Sequence, residues 1–353
     1  MSVLRSIAIA TLVVATILLA TGLLLVLGGY DVRAALAALW TGSVGSWYSL
    51  TSATMVRAIP LMLSGCAVAI AFRAGVFNIG AEGQLLAGAA TATAVALAQP
   101  SLGAVALVLA LILGAAGGAA WAAIAALLRS RFGVLEVIST IMLNFVALYA
   151  VSFLVRGPLQ EPTHAYPQTA PIADAARLGQ IPGAGRLHFG IVLALAVVVA
   201  AGWMMRHTAA GFRLVVVGES PAAAASAGQI DVASVTLGAF MLSGALAGLA
   251  GAVEVLGVTF ALYENISPGY GYTAIAVALL AGLDPWRVIL SALLFAALEA
   301  GAGAMQRDAG VPSTLVSVVE ALLILAVVGA QALRRRRADA ATDAALPAPA
   351  PGT

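Results

Sequence analysis

The chain alternates between long apolar runs and short polar interruptions along almost its whole length. An α-helix needs about 20 apolar residues to cross a lipid bilayer. A transmembrane β-barrel would show alternating segments of about ten residues instead. The pattern therefore predicts an all-α, polytopic helical membrane protein with about ten transmembrane segments, which we place at residues 7–27, 55–72, 83–98, 102–128, 134–155, 188–205, 235–258, 273–283, 288–305 and 311–332.

Some of these segments are expected to be broken or re-entrant. Pro60 lies inside the second run, where proline kinks or breaks a helix. The eighth run is too short to span a bilayer by itself. Glycines in the fourth run and in the seventh run, Gly238, Gly244, Gly248 and Gly251, form seams of small residues that permit close contact between helices.

A polar, glycine-rich patch separates the second run from the third. Glycine lets one backbone approach another closely or adopt a positive φ. Polar groups at the margin of a bilayer or inside it must find partners or water. The patch is therefore either a site of ligand contact or a structural turn. Its members are Arg73, Gly75, Asn78, Gly80, Glu82, Gly83 and Gln84.

Two longer polar segments interrupt the pattern further along the chain. Residues 156–187 contain five prolines and are predicted to form an irregular loop outside the bilayer. Residues 206–231 are rich in alanine, with Ser220 as a candidate N-cap, Pro221 at the first helical position and Gly228 as the stop. This predicts a two-turn helix outside the bilayer, which is either an ordinary loop helix or a small, smooth knob that docks in a partner's cleft.

Composition excludes several functions. Charged residues make up 9% of the chain, against roughly a quarter in soluble domains. All basic residues are arginine, so the P-loop, which requires a lysine, is absent, and the chain does not hydrolyse ATP by that route. The three histidines are scattered, and no hydrolase motif occurs, so we expect no metal, no cofactor and no catalytic site. The single cysteine, Cys66, is expected to be buried.

The arginines are placed unevenly around the predicted spans. Eleven of the 17 fall on one side, and six, Arg57 among them, fall on the other. The positive-inside rule then predicts that both termini are cytoplasmic. Residues 156–187 lie outside in this topology, and residues 206–231 lie in the cytoplasm. Residues 1–333 form the membrane domain, and residues 334–353 form a basic stop and a disordered tail.

Four polar side chains are expected within the spans: Asn144, Glu254, Glu299 and Glu320. Such groups are costly against lipid and face the interior of the bundle or a water-filled cavity. They either line a pathway or tie helices together, and the sequence favours neither.

The stretch from Ala71 to Leu85, AFRAGVFNIGAEGQL, resembles the signature of permease subunits of bacterial ABC importers. The family serves branched-chain amino acids, ribose and other simple sugars, and nucleosides. The FNIGAEGQ form is most similar to the nucleoside and simple-sugar branch. Residues 218–228 with 239–251, and residues 276–285, resemble the family as well.

The resemblance implies a type II importer permease in the bacterial inner membrane, surrounded by lipid. It implies a cytoplasmic ATPase, a second homologous permease and a periplasmic or lipid-anchored substrate-binding protein, with no nucleic acid partner. It implies that the helix within residues 206–231 couples to the ATPase through Gly218, Glu219, Ser220, Pro221, Ala222, Ala223, Ala224, Ala225 and Gly228.

We therefore interpret the chain as the permease subunit of an ATP-driven ABC importer, which forms half of the translocation pathway for nucleosides or simple sugars. The alternatives are an ion-coupled secondary transporter of a small polar solute and a branched-chain amino acid ABC permease. The polar patch is best explained as a structural turn that locks two helices near the inner gate, with substrate contact as the less favoured hypothesis.

Overall fold

The computed structural model describes residues 21–226 and 230–312, with a few further positions, namely 314, 315, 317, 318, 321, 322, 325 and 329. The chain divides into two compact units. One is Leu39–Gly301, and the other comprises Met1–Ala38 and Ala302–Thr353. Within the described residues all regular structure is helical, and β pairing is limited to two isolated bridges. The predicted all-α class is therefore confirmed.

We number the helices of the described residues in chain order. They are α1 (Val32–Ser43), α2 (Trp47–Arg73), α3 (Ala81–Ala98), α4 (Ala104–Phe132), α5 (Glu136–Arg156), α6 (Gly190–His207), α7 (Ala209–Glu219), α8 (Pro221–Ser226), α9 (Val232–Thr259), α10 (Tyr270–Leu280) and α11 (Pro285–Asp308). Residues 21–27 are helical as well, and short 3-10 helices occur at Pro100–Leu102 and Asp174–Ala176.

In the described part of the chain, six helices are long and apolar enough to cross a membrane: α2, α4, α5, α6, α9 and α11. They coincide with six of the ten predicted spans. Helix α3 is not among them, and α10 has 11 residues, about 17 Å of helix. The first and tenth predicted spans lie largely outside the described residues. The structure thus supports a multi-pass protein without confirming ten segments.

Helix α2 is central to the unit Leu39–Gly301. In its most apolar window 83% of the residues are buried, against 22% in α4. Pro60 lies inside α2 without interrupting it, so the predicted break is wrong. Proline removes one backbone hydrogen bond and crowds the preceding turn. A π-helical stretch, Leu50–Met55, lies immediately before that turn, and such local adjustments accommodate proline in membrane helices.

Glycines bring the backbones of α4 and α9 into direct contact. A Cβ on Gly248 would lie 2.6 Å from the carbonyl oxygen of Gly114, and a Cβ on Gly244 would lie 2.5 Å from that of Gly118. Helix α3 packs against both helices. The predicted seam is therefore real at Gly244 and Gly248. It does not extend to Gly238, where a Cβ would meet nothing within 4 Å.

Residues 157–187 fold irregularly over one end of the unit, which we call the loop end. Backbone N–H groups of Thr169, Ile172 and Leu178 donate to carbonyl oxygens of Leu262, Phe260 and Leu256 at 2.8–2.9 Å. Nearby, the Arg156 guanidinium binds the Glu264 carboxylate at 2.6 and 2.7 Å, and Ser152 donates to the same carboxylate. These contacts lower the pKa of Glu264 to about 2, so this tie persists in mildly acidic solution.

Replacing Gly248 with alanine should destabilise the unit, because the added methyl group has no space between α9 and α4. Overpacking of this kind costs about 1–3 kcal/mol. The matched control is Gly238→Ala, which should be neutral or stabilising, since alanine favours a helix over glycine by up to about 1 kcal/mol. Thermal unfolding of the detergent-purified variants measures both effects. Equal transition temperatures for Gly248→Ala and the wild type would contradict this packing.

Candidate functional site

The end of the unit opposite the loop end, which we call the far end, carries arginine–carboxylate pairs. Arg129 contacts Glu136 at 3.1 Å, and Arg206 contacts Asp284 at 2.6 Å. These pairs join the end of α4 to the start of α5 and the end of α6 to the start of α11. The far end therefore collects several helix termini around residues 206–231.

Residues 206–231 form two short capped helices rather than one. Thr208 Oγ1 accepts a hydrogen bond from Gly211 N at 3.2 Å and caps α7. Ser220 Oγ accepts one from Ala223 N at 3.2 Å and caps α8, whose first residue is Pro221. The predicted cap and helix start are confirmed, while Gly228 lies outside the described residues. Helix α7 was not predicted, although Thr208 before an apolar run was a usable signal.

Helix α8 has three exposed alanines and one buried alanine. Ala222, Ala223 and Ala225 are exposed, whereas Ala224 is fully buried. Among the other predicted coupling residues, Glu219 is exposed and Gly218 packs against the end of α2. Phe212 on α7 is 63% exposed. The far end thus presents a small smooth surface beside one large apolar side chain.

The polar patch is a turn held by amide hydrogen bonds. Helix α2 ends at Arg73, and Gly75 adopts φ +70°, a conformation that favours glycine. Asn78 is fully buried and pairs with Gln84 through two hydrogen bonds of 3.0 Å. Asn78 also donates to Ser243 Oγ at 2.9 Å, which fastens the turn to α9.

Helix α5 holds the other side of the turn through Asn144. Its Oδ1 accepts from Gly83 N at 2.8 Å, and its Nδ2 donates to the Ile79 carbonyl oxygen at 2.9 Å. A Cβ on Gly83 would lie 3.0 Å from the Asn144 Cα, so only glycine fits there. The geometry therefore favours Asn144 as a tie between helices over Asn144 as a pathway residue.

The turn lies inside the bundle rather than at its surface. Asn144 is eight residues beyond Glu136, the first residue of α5, which corresponds to about 12 Å of helix. Ser243 is eleven residues beyond Val232, the first residue of α9, or about 17 Å. The side chain of Asn78 and its partners Gln84 and Ser243 consequently sit away from the far end, whereas Arg73 lies at it.

Glu82 connects the polar patch to α10. Its Oε2 accepts a hydrogen bond from Gly271 N at 2.7 Å. The carboxylate lies in the first turn of α3 and at the first turn of α10, where helix dipoles favour negative charge. Sequence reasoning placed Glu82 at a helix start but missed the second helix, which is 189 positions away.

A second polar cluster lies towards the loop end of α2 and α9. Buried Glu254 on α9 and partly buried Glu299 on α11 lie within electrostatic range of Arg57 on α2, and among the described residues neither forms an ion pair with it within 4.0 Å. The structure thus brings two of the four predicted pathway residues together. Asn144 belongs to the polar patch instead, and Glu320 lies outside the described residues.

Arg57 was missed as a site residue because it was assigned to an outer loop. That assignment is wrong: α2 begins at Trp47, so Arg57 lies ten residues into the helix. Its Nη1 donates to the Ala53 carbonyl oxygen at 3.1 Å. An arginine within a span marks a functional candidate in membrane proteins.

Neither cluster has the composition of a metal centre. In the part of the chain that the structure describes, no three His, Cys, Asp or Glu side chains lie close enough together to hold a metal ion. The groups present can donate and accept hydrogen bonds and carry charge, which suits solute recognition and helix positioning.

A family model described as "Branched-chain amino acid transport system / permease component" matches residues 50–328, well over half of the chain. The chain belongs to this family. It is therefore a permease of an ABC transporter and a multi-pass membrane protein, and ATP is hydrolysed by a separate subunit. The family also implies a substrate-binding partner. Membership excludes the ion-coupled secondary transporter that the sequence had left open.

Three relatives match the permease over most of its length. It is 40% identical to the glucose ABC transporter permease of Haloferax volcanii, covering 91% of this chain and 87% of the relative. It is 39% identical to a guanosine ABC transporter permease of Bacillus subtilis, covering 90% and 91%. It is 32% identical to a nucleoside ABC transporter permease of Lactococcus lactis, covering 81% and 80%. No solved structure matches the chain.

Replacing Asn144 with leucine should destabilise the permease, because the Gly83 N–H and the Ile79 carbonyl lose their partner inside the bundle. A buried polar group left unsatisfied costs about 1–3 kcal/mol. Thermal unfolding and the yield of folded permease in detergent measure the loss. The reverse pattern, normal stability with altered substrate preference, would make Asn144 a pathway residue.

Proposed function

We propose that this permease imports nucleosides. The observation that carries the proposal is its similarity, over at least four fifths of both chains, to the guanosine and nucleoside permeases. Simple sugars are the second candidate, because the glucose permease is 40% identical. Branched-chain amino acids are the third, on the family's description alone.

We further propose that the translocation pathway forms between this permease and a second homologous permease. Bacillus subtilis has two guanosine ABC transporter permeases, which are 39% and 31% identical to this chain. An unequal pair of permeases is consistent with both relatives. Helix α5 offers an apolar face to the partner or to lipid, with Phe145, Tyr149 and Phe153 exposed.

In the topology we propose, the far end faces the cytoplasm and the loop end faces outwards. The supporting observation is that Arg73, Arg129 and Arg206 lie at helix ends on the far side, as the positive-inside rule requires of a cytoplasmic face. Both termini are then cytoplasmic, with about ten segments in residues 1–333 and a tail at residues 334–353. The membrane is the bacterial inner membrane, and the arrangement corresponds to a type II importer.

Helix α8 then serves as the docking knob for the ATPase. Its exposed Ala222, Ala223 and Ala225 have short side chains that allow close seating in a cleft. Its Ser220 cap fixes the start of the helix, and buried Ala224 anchors it to the permease. Movement of the ATPase pair would therefore displace α8 as a rigid body.

The transport cycle follows from these parts. A binding protein delivers the nucleoside at the loop end, and closure of the ATPase pair moves α8 and switches the cavity from outward-open to inward-open. Arg57, Glu254 and Glu299 can hydrogen-bond the hydroxyl groups of ribose, and the partly exposed Tyr263 offers a ring to the base. Glu320 remains a candidate pathway residue.

Ala223→Arg should abolish association with the ATPase, because a long charged side chain cannot seat where a methyl group did. Ala223→Ser is the matched control and should bind normally, since serine stays small. Co-purification of the ATPase with each permease variant from membranes measures docking, and thermal unfolding confirms that both variants are folded. Normal co-purification of the arginine variant would refute the docking role of α8.

The intact transporter, reconstituted with its ATPase, partner permease and binding protein, should accumulate radiolabelled guanosine or another nucleoside in proteoliposomes. Competition with excess glucose or leucine should leave that uptake unchanged. Uptake of labelled glucose in place of the nucleoside would support the second candidate. Uptake of leucine alone would reject both.

A further inference from the structure

The 206–231 segment approaches the polar patch backbone to backbone at Gly218 and Gly75. A Cβ on Gly75 would lie 3.1 Å from the Gly218 Cα, and a Cβ on Gly218 would lie 2.9 Å from the carbonyl carbon of Ala74. Since no side chain separates α7 from the turn after α2, a displacement of one is transmitted to the other without slack. Leu214 and Val217 are buried on the same helix and keep it seated.

The other end of the patch meets α10 in the same way. A Cβ on Gly271 would lie 2.7 Å from the carbonyl carbon of Ala81. The Glu82 carboxylate accepts from Gly271 N at 2.7 Å, and Ser267 Oγ accepts from Tyr270 N, the neighbouring N–H of the same helix start, at 3.0 Å. Glu82 thus fixes the start of α10 to the start of α3.

Between these two contacts the patch is stiff. The paired amides of Asn78 and Gln84 and the two bonds of Asn144 leave little freedom to the residues that join Gly75 to Glu82. A push on Gly75 therefore reaches Glu82 as a shift of the whole turn. Packed elements of this kind move as bodies between discrete arrangements.

Helix α10 leads from Glu82 to the second polar cluster. Its first residue, Tyr270, is 6% exposed and lies within electrostatic range of Glu254 and Glu299. Any movement of the α10 start therefore changes the electrostatic surroundings of both carboxylates. The direct contacts run from α7 through the patch to the start of α10, which borders the proposed pathway.

We propose that Glu82 is a positioning residue for transport coupling, which holds α10 to the turn on which the 206–231 segment rests. Motion of the ATPase would then move the α10 start and, with it, the proposed pathway. This inference rests on the proposed docking of α8, and it assigns to Glu82 a role in transmission rather than in substrate contact.

The test measures nucleoside uptake per ATP hydrolysed in the reconstituted transporter. Glu82→Ala removes the acceptor for Gly271 N–H and should lower this ratio about fivefold or more, the lower end of typical coupling between two sites. Glu82→Gln keeps an acceptor oxygen and should leave the ratio close to that of the wild type. An unchanged ratio in Glu82→Ala, or equal losses in both variants, would overturn the proposal.

Gly218→Ala tests the same series of contacts at its α7 end. This second variant is needed if Glu82→Ala fails to fold. The added Cβ pushes α7 away from Arg73 and Ala74, so uptake per ATP should fall, and co-purification of the ATPase together with thermal unfolding shows separately whether docking and folding survive. Gly238→Ala serves as the unperturbed control. A Gly218→Ala transporter with the wild-type ratio would refute the transmission route.

The two proposals fail in different ways. If Ala223→Arg still binds the ATPase, or if the wild type carries no nucleoside, the proposed function is wrong. If docking and wild-type uptake are normal while Glu82→Ala and Gly218→Ala transport with an unchanged ratio, only the role of Glu82 is wrong.

Discussion

The arrangement of this permease depends on an irregular stretch of backbone that lies inside a helical bundle. Residues 74–80 leave the helical hydrogen-bond pattern, and in a membrane the groups thus freed must be satisfied by protein. The side chains of Asn78 and Asn144 bond two of these groups: Asn78 Oδ1 accepts from Gly80 N, and Asn144 Nδ2 donates to the Ile79 carbonyl oxygen. Because both side chains bond to the turn and to a neighbouring element, helices α3, α5 and α9 are positioned by the requirement that the turn be paired.

The same requirement explains why glycine recurs wherever these helices meet. A turn that is paired by short amide side chains needs the surrounding helices close to it, since an asparagine reaches only a short way. Gly83 lets Asn144 approach the start of α3, and Gly244 and Gly248 let α9 approach α4. Small residues of this kind are how membrane helices gain close packing where the hydrophobic effect gives no advantage. In this bundle the hydrogen bonds of the turn therefore require close packing of the surrounding helices.

Local signals in the sequence were sufficient for the six long apolar helices and for the short capped helix α8, though not for α7, because a cap, a proline and an apolar run act within a few residues. They also singled out the polar patch. Its depth and its partners could not be predicted, since Ser243 and Gly271 are 165 and 189 positions from the residues they bind. Arg57 was counted with the outer arginines because the predicted apolar run begins at residue 55, whereas α2 already begins at Trp47.

The two polar clusters differ in chemistry, and that difference suits two different tasks. In the patch, amides bond to other amides, to a hydroxyl group and to backbone, so the cluster has a single favourable arrangement and resists deformation. Around Arg57, one guanidinium lies within electrostatic range of two carboxylates on separate helices, and no short ion pair among the described residues fixes it to either one. A transporter needs a stiff element to carry motion and an adaptable one to bind and release its solute. Under the proposed function, Glu82 and α10 connect the stiff element to the adaptable one, so that motion of the ATPase reaches the solute.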